Sequence, residues 1–268
     1  GALGRDPKMQ LQLLLDGVAD MAWILNPYTP GRFPDDQVCN IPAKADNLQA
    51  GLALQRLYDR GMLRGYDDLV LIGHTTAWQY FIHSNVPIRT PEDMKGKKFK
   101  ATGQIQHALV QAVGGVPVGM SITKVAESVN RGVLNGLVGE PNSMNTFKVY
   151  EVVKYHLEGV SFGTSNQMIA MTKKKYDSLP AEAKAILDKN RGEAFARYYG
   201  EKQNLHNLRI LEKYKNDPKH KFYSPTPAEM EQWEALMRPV IDTWKAEHPN
   251  AENLLNTYMS EINKIGSE

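Results

Sequence analysis

Apolar residues fall along this chain in two rhythms, and the passage from one to the other marks out its elements. Between positions 45 and 61 they recur at helical spacing, with Leu48, Leu52, Leu54, Leu57 and Tyr58 on one side, which predicts an amphipathic helix ended by Gly61. Asp68-Leu69-Val70-Leu71-Ile72-Gly73 is instead a near-continuous apolar run, as in a strand covered on both faces, and is expected to end at His74. Residues 8–15 read as helix and residues 19–25 and 167–171 as strands. Thr90 and Pro91 open a short helix with Glu92 and Asp93 in its first turn, and after a turn at Gly96 residues 98–101 read as a strand. The pattern over 180–214 is helical and would extend about 50 Å if unbroken. Gly192 and Gly200 mark places where it can bend, so one long helix and two consecutive core helices both fit. Beyond Asp217-Pro218, residues 220–223 suggest a strand, Thr226-Pro227-Ala228-Glu229 a capping box opening a helix, and residues 252–265 the last helix.

This alternation of helix and strand defines an α/β chain, and no repeat interrupts it. Its 268 residues, 42% hydrophobic and 23% charged, suffice for one large lobe or two smaller ones. A net charge of +2, from 32 basic and 30 acidic residues, argues against nucleic acid or an anionic membrane as partner. No apolar run approaches the roughly 20 residues a spanning helix needs, and no amino-terminal signal segment is visible. The single cysteine, Cys39, cannot form an intramolecular disulfide and reads as a buried small side chain.

Motifs of catalysis are scarce. There is no nucleophile elbow, no histidine pair flanking a glutamate at helical spacing, and no glycine loop ending in Lys-Ser or Lys-Thr. Gly114-Gly115-Val116-Pro117-Val118-Gly119 lacks a phosphate-binding lysine and reads as a turn into a strand. Neither a metal nor a cofactor is expected. Because ligands of open α/β sheets bind beyond the carboxyl ends of strands, the residues after Leu25 and Ile72 are site candidates: Asn26 and Tyr28 in one stretch, His74, Trp78 and Tyr80 in the other. For Tyr28 and Trp78 pocket and core are equally compatible, His74 could be pocket, structural or metal-ligating, and Trp23 reads as core. Phe162-Gly163-Thr164, before a strand, reads as a hinge or pocket rim. Of the basic run, Lys95 and Lys97 read as solvated, whereas Lys98 and Lys100 share the strand face opposite Phe99, and alternation cannot choose between them.

A collinear set of fragments makes that choice. Asp16-Gly17-Val18-Ala19-Asp20-Met21-Ala22-Trp23, Pro30-Gly31-Arg32-Phe33-Pro34, the run from Pro91 to Gly103, Gly114 to Val118, Arg131-Gly132-Val133-Leu134-Asn135-Gly136, Tyr150 to Tyr155 and Ser178-Leu179-Pro180 resemble, in this order, the solute receptors of tripartite ATP-independent periplasmic (TRAP) transporters of the DctP type. The resemblance covers nearly the whole chain. Gly1-Ala2-Leu3-Gly4 is similar to the loop before that family's second helix, which implies that its first strand and helix precede this text. It further implies a two-lobed fold of the type II periplasmic-binding-protein plan, with a long helix across both lobes. Residues 1–76 and 166–206 would form one lobe, and 77–165 and 207–268 the other. The expected function is binding without turnover: a monomeric periplasmic receptor, its export signal removed, captures a small organic acid or a related polar or aromatic metabolite between its lobes and delivers it to the small and large TRAP membrane subunits.

In the family, the strand that matches residues 98–101 carries an arginine that grips the substrate carboxylate. Here Lys100 stands there, a point charge without the arginine fork, and Thr102 follows it. The family commonly has an asparagine after its Asp-Gly turn, where this chain reads Asn135-Gly136-Leu137-Val138-Gly139-Glu140-Pro141-Asn142. Lys100 with Glu140 suits a ligand that carries hydroxyl or amine donors besides any acid group. Glu140 paired with Lys100, or facing solvent, is the competing possibility. Two other readings remain: a receptor of the ATP-driven kind, favoured if residues 180–214 are two short helices within one lobe, and an acid-base enzyme using His74 and Glu140.

Overall fold

The computed structural model describes residues 3–4, 6–29 and 31–268, so Gly1, Ala2, Arg5 and Pro30, including parts of two fragments compared above, lie outside them. Among the described residues there are nine strands: β1 Ala22–Leu25, β2 Leu69–Thr76, β3 Phe81–Ser84, β4 Lys98–Ala101, β5 Val116–Gly119, β6 Gly136–Gly139, β7 Tyr155–Leu157, β8 Asn166–Thr172 and β9 Lys221–Tyr223. They form two sheets, one ordered β1-β8-β2 and one ordered β5-β4-β6-β3-β7-β9. In the second sheet β4 runs parallel to β5 and β6, whereas β8 runs antiparallel to both of its neighbours in the first.

The chain makes two short crossings between the sheets, after β2 and before β8, and passes over once more, by a longer path, between β8 and β9. The two crossings are laced together by Tyr80 N to Gly163 O (2.9 Å), Phe162 N to Tyr80 O (2.9 Å) and Ala77 N to Ser165 O (3.0 Å). Gly163 sits at φ +73°, where a Cβ would lie 2.1 Å from the Asn40 carbonyl, so the crossing requires glycine. Strand β2 continues to Thr76, two residues beyond the expected end at His74, because Thr75 and Thr76 pair with Gln167 and Asn166 of β8. Local pattern could not show that partner.

Ten α-helices cover the sheets among the described residues: α1 Gln10–Leu15, α2 Asn47–Asp59, α3 Gly103–Ala112, α4 Val125–Asn130, α5 Pro141–Thr146, α6 Lys173–Asp177, α7 Ala181–Asn190, α8 Glu193–Lys215, α9 Pro227–Glu247 and α10 Ala251–Ile265. Helix α2 starts where Asp46 and Gln49 cap each other, at 2.9 and 3.0 Å, and buries Leu52, Leu54 and Leu57 completely. The same reciprocal cap joins Thr226 to Glu229 ahead of α9.

The helical stretch expected over 180–214 is two helices. Arg191 is extended, Gly192 takes φ +68°, and the Gly192 N–H leaves the helix to reach the Ile72 carbonyl at 2.7 Å. The second piece is still long, 23 residues, and belongs to both lobes. Its Asn207 gives an N–H to Asn47 Oδ1 (3.0 Å) on the first side and accepts the Asn142 N–H (3.0 Å) on the second, while Tyr214 stacks on Tyr150 with ring centroids 3.7 Å apart. Gly200 lets α8 approach α2: a Cβ there would lie 2.6 Å from Leu48 Cα. Gly200→Ala is therefore expected to lower stability by roughly 1–3 kcal/mol in urea unfolding, despite the helix propensity gained. A variant as stable as wild type would mean that the two helices separate at no cost.

Residues 207–268, expected to lie with the second lobe, divide between the two. Trp233 of α9 is fully buried and donates to the Arg89 carbonyl at 3.3 Å. Helix α10 packs on α2 of the first lobe instead. There Glu261 meets Arg56 and Arg60 at 3.1 and 2.7 Å, and these pairings, led by Arg60, hold its carboxyl at about 2.

Candidate functional site

Strands β1, β4 and β6 end at one cleft between the lobes, a cavity of about 480 Å³. One wall comes from Trp23, Tyr28 and Gln167 of the first lobe, the other from Lys100, Thr102, Ile122, Glu140 and Phe147 of the second, and Tyr80 contributes from the crossing. Lys100 stands at the third position of β4, after exposed Lys98 and completely buried Phe99, and is itself only 4% exposed. Its Nζ donates to Thr102 Oγ1. Burial brings the ammonium down to about 8, with Glu140 opposing the shift and Lys8 adding to it.

Glu140 is the N-cap of α5, and its carboxylate accepts the N–H groups of Asn142 (2.8 Å) and Ser143 (2.6 Å). Burial raises this carboxyl above the usual range while those bonds and Lys100 hold it down. No ion pair within 4.0 Å joins Glu140 to Lys100. The helix end, and not the lysine, satisfies the acid, so the ammonium keeps N–H groups for a solute. Burial pushes the Tyr28 hydroxyl up to about 12, against the pull of the nearby Ile122 backbone and Thr102 hydroxyl, neither of which meets it in full hydrogen-bond geometry.

Lys100, Thr102, Glu140, Tyr28 and Tyr80 thus share one cavity, and the remaining candidates lie outside its lining. Asn26 lines a smaller neighbouring cavity. His74 is fully buried behind the cleft, its Nδ1 3.1 Å from Asn166 Oδ1 and its Nε2 3.4 Å from the Tyr66 hydroxyl, and burial lowers it to about 4. It does not share the cavity with Glu140, the partner an acid-base pair would require. Phe162 is core at the crossing. Trp78 is half-buried, and Asn142 serves Glu140 through its backbone and His206 through its side chain, at 3.2 Å.

Trp23, read as core, is 39% exposed and walls the cavity, its indole N–H 3.3 Å from Gln167 Oε1. Its place between buried Ala22 and Ile24 on a strand was the available signal, since alternation turns it away from the core. Gln167, Ile122 and Phe147 carried none. No group of three or more His, Cys, Asp or Glu side chains placed to hold a metal occurs among the described residues.

Residues 1–247 match the family described as bacterial extracellular solute-binding protein, family 7. Among curated relatives, the C4-dicarboxylate-binding periplasmic protein DctP of Rhodobacter capsulatus is 28% identical over 172 residues, 64% of this chain and 51% of its own length. A solute-binding protein of Sulfitobacter sp. is 29% identical over 121 residues, 45% of this chain and 36% of its own. The chain thus spans about half, or less, of the curated relatives it matches. Among solved structures, a marine-metagenome TRAP solute-binding protein specific for aromatic acids, in complex with metahydroxyphenylacetate, superposes with a TM-score of 0.91 at 25% identity, over 98% of this chain and 85% of that one. A TRAP solute-binding protein of Rhodoferax ferrireducens T118, with copurified benzoate, gives 0.91 at 22% identity over 99% and 85%, a likeness of fold. With a family match over more than nine-tenths of its length, this chain belongs to the bacterial extracellular solute-binding proteins of family 7.

Proposed function

We propose that this chain is a monomeric periplasmic receptor of a TRAP-type transporter, that it holds an aromatic acid bearing a hydroxyl or similar donor, and that it hands this solute to the membrane subunits without chemical change. The observation that carries the reading is a buried Lys100 without an ion-pair partner in a cavity to which Trp23, Tyr28, Tyr80 and Phe147 contribute rings. Lys100 meets the carboxylate, and Trp23, Tyr28, Tyr80 and Phe147 meet the ring. Glu140, in the same lining, takes the remaining polar group. The cavity, at about 480 Å³, lies in the usual range for small-molecule sites. Relatives at 25% identity are described with metahydroxyphenylacetate and 3-hydroxybenzoate, which supports the class. The solute favours the closed state because its contacts come from both lobes, and closure turns on the laced crossings. No helix among the described residues is long and apolar enough to cross a membrane, in keeping with a separate membrane partner.

Thermal shift and calorimetry with 3-hydroxybenzoate, benzoate, succinate and galacturonate test this. At about a hundred times its dissociation constant the hydroxy acid is expected to add about 2.7 kcal/mol and raise the midpoint by roughly 5–10 °C. Benzoate should follow, then the non-aromatic acids. Tighter binding of succinate, or turnover of any bound compound, overturns the reading.

A further inference from the structure

Besides the Tyr28 hydroxyl, two side-chain amides supply polar groups to the first lobe's wall of the solute cavity, Gln10 and Gln167. Gln10 gives its NH2 to the Gly4 and Asp6 carbonyls, at 3.3 and 3.4 Å. Gln167 is held the other way round. It lies opposite Leu25 of β1, so its side chain rises on the sheet face that carries Trp23. An indole N–H only donates, and the atom of Gln167 that it meets at 3.3 Å is therefore the carbonyl oxygen Oε1. That contact fixes which way the amide is turned. The Nε2, bonded to the same carbon, meets no acceptor among the described residues and is not sealed off from the cavity that Gln167 lines.

A donor left open in a solute cavity asks for an acceptor on the solute, since a group desolvated without a partner costs affinity. With the acid group of the solute on Lys100, that acceptor belongs to a ring substituent. Glu140 sets a second condition. As a carboxylate it only accepts, and the N–H groups of Asn142 and Ser143 engage it at 2.8 and 2.6 Å without supplying anything a solute could use in its place. The substituent must therefore give a hydrogen as well as take one. A hydroxyl does both, whereas an aromatic amine donates but accepts poorly, its lone pair being drawn into the ring, and a methyl group does neither. Building on the reading of the cavity as a site for an aromatic acid, we propose that Gln167 is the specificity-determining residue that selects a ring hydroxyl over a ring amine. The Gln167 NH2 donates to the hydroxyl oxygen, and the hydroxyl donates to Glu140. Trp23 is a positioning residue: it denies Gln167 the flipped amide, which would present an acceptor in place of the donor. Because Gln167 stands on one sheet and Lys100 on the other, a solute that meets both favours the closed state.

Calorimetry near neutral pH, where the ring amine is uncharged, tests this with benzoate, 3-methylbenzoate, 3-aminobenzoate and 3-hydroxybenzoate on the wild-type chain, Gln167→Glu, Gln167→Leu and Trp23→Phe. Ratios are compared within each protein, so a general loss of affinity in a variant cancels. Wild type is expected to bind 3-hydroxybenzoate about tenfold tighter than 3-aminobenzoate or 3-methylbenzoate. Gln167→Glu keeps an oxygen for the Trp23 N–H but turns the open donor into an acceptor, and is expected to prefer the amine. Gln167→Leu is expected to bring hydroxyl and amine within about threefold of each other. Trp23→Phe keeps a ring in the wall but frees the amide to turn, and is expected to narrow the ratio without inverting it. An amine bound by wild type as tightly as the hydroxyl, or a hydroxyl-to-amine ratio that stays at its wild-type value in Gln167→Glu, overturns the proposal. In either case benzoate binding to wild type leaves the reading of the cavity standing, whereas its absence overturns both. The wild-type series decides even if a variant does not fold.

Discussion

Lys100→Met is expected to weaken benzoate binding by about two orders of magnitude, and wild-type affinity is expected to fall as pH rises through about 8. Methionine keeps the length and volume of the lysine stem but loses the charge, so the packing around Phe99 and Thr102 changes little. The pH dependence follows from burial. In the free protein Lys100 releases its proton near 8, well below the ordinary 10.5, because its ammonium is desolvated and Glu140, engaged by α5, compensates only in part. A carboxylate binds the ammonium form. Affinity should therefore be constant below pH 8 and drop by up to tenfold per pH unit above it, until the pKa of the complex is reached. Lys100→Arg, charged throughout, should give a flat profile to about pH 9.5. Calorimetry across that range reads both. A flat wild-type curve would remove Lys100 from contact with the carboxylate.

The second large effect is a loss of stability in mild acid. His83 Nε2–H donates to the Gly139 carbonyl at 3.3 Å, so its Nδ1 must accept from His156 Nδ1 at 2.8 Å, and His156 Nε2 in turn accepts from His220 Nδ1 at 2.8 Å. One proton fits in each gap, so the rings are neutral. Burial lowers His74 to about 4 and His83 to about 3, and lowers His156 further, with its histidine neighbours adding to the effect. In the unfolded chain these rings take up protons below about 6.5 and in the folded protein they do not, so stability is full above pH 6.5 and falls as pH drops from there toward the folded values. Three such rings amount to about 4 kcal/mol by pH 5.5. Asp36 opposes this: its carboxyl is raised to about 7, so the folded protein holds a proton the unfolded chain lacks, which offsets about 2 kcal/mol over the same range. Urea unfolding at about pH 7 and 5.5 should show a net loss of about 2 kcal/mol, steeper in Asp36→Asn. Stability that holds or rises toward pH 5.5 would mean that the rings protonate in the folded state.

Elements with local causes were legible from the chain itself. The reciprocal caps at Thr90 and Thr226, the proline at the first helical position of each, and the buried side of α2 depend on residues three or four apart. Where an element's limit depends on a distant partner, the sequence left it open or misplaced it: β2 runs on past His74 to Thr76 because β8 pairs with it, and of the two readings open for 180–214 the break at Gly192 is realised because the Ile72 carbonyl takes its N–H. The site divided in the same way. Lys100 could be singled out by resemblance, yet whether Glu140 would pair with it was decided by the N–H groups of α5, which satisfy the acid at 2.6 and 2.8 Å. His74 follows a strand signal as a ligand residue would, but Asn166 and Tyr66, from other parts of the chain, take both of its nitrogens and bury it.

By itself, then, the amino-acid order determined the helices and strands with a strong period or a cap, because periodicity and capping act over a few residues, while Lys100 was singled out by resemblance. Tertiary structure alone decided that Trp23 and Gln167 face Lys100 across the cavity, that α10 returns to the first lobe, and that Asp36 is buried without a counter-ion. These are consequences of burial and long-range pairing. The desolvation that moves Lys100, Asp36 and His156 away from their ordinary pKa values comes from residues far off in the chain, and no local pattern records it.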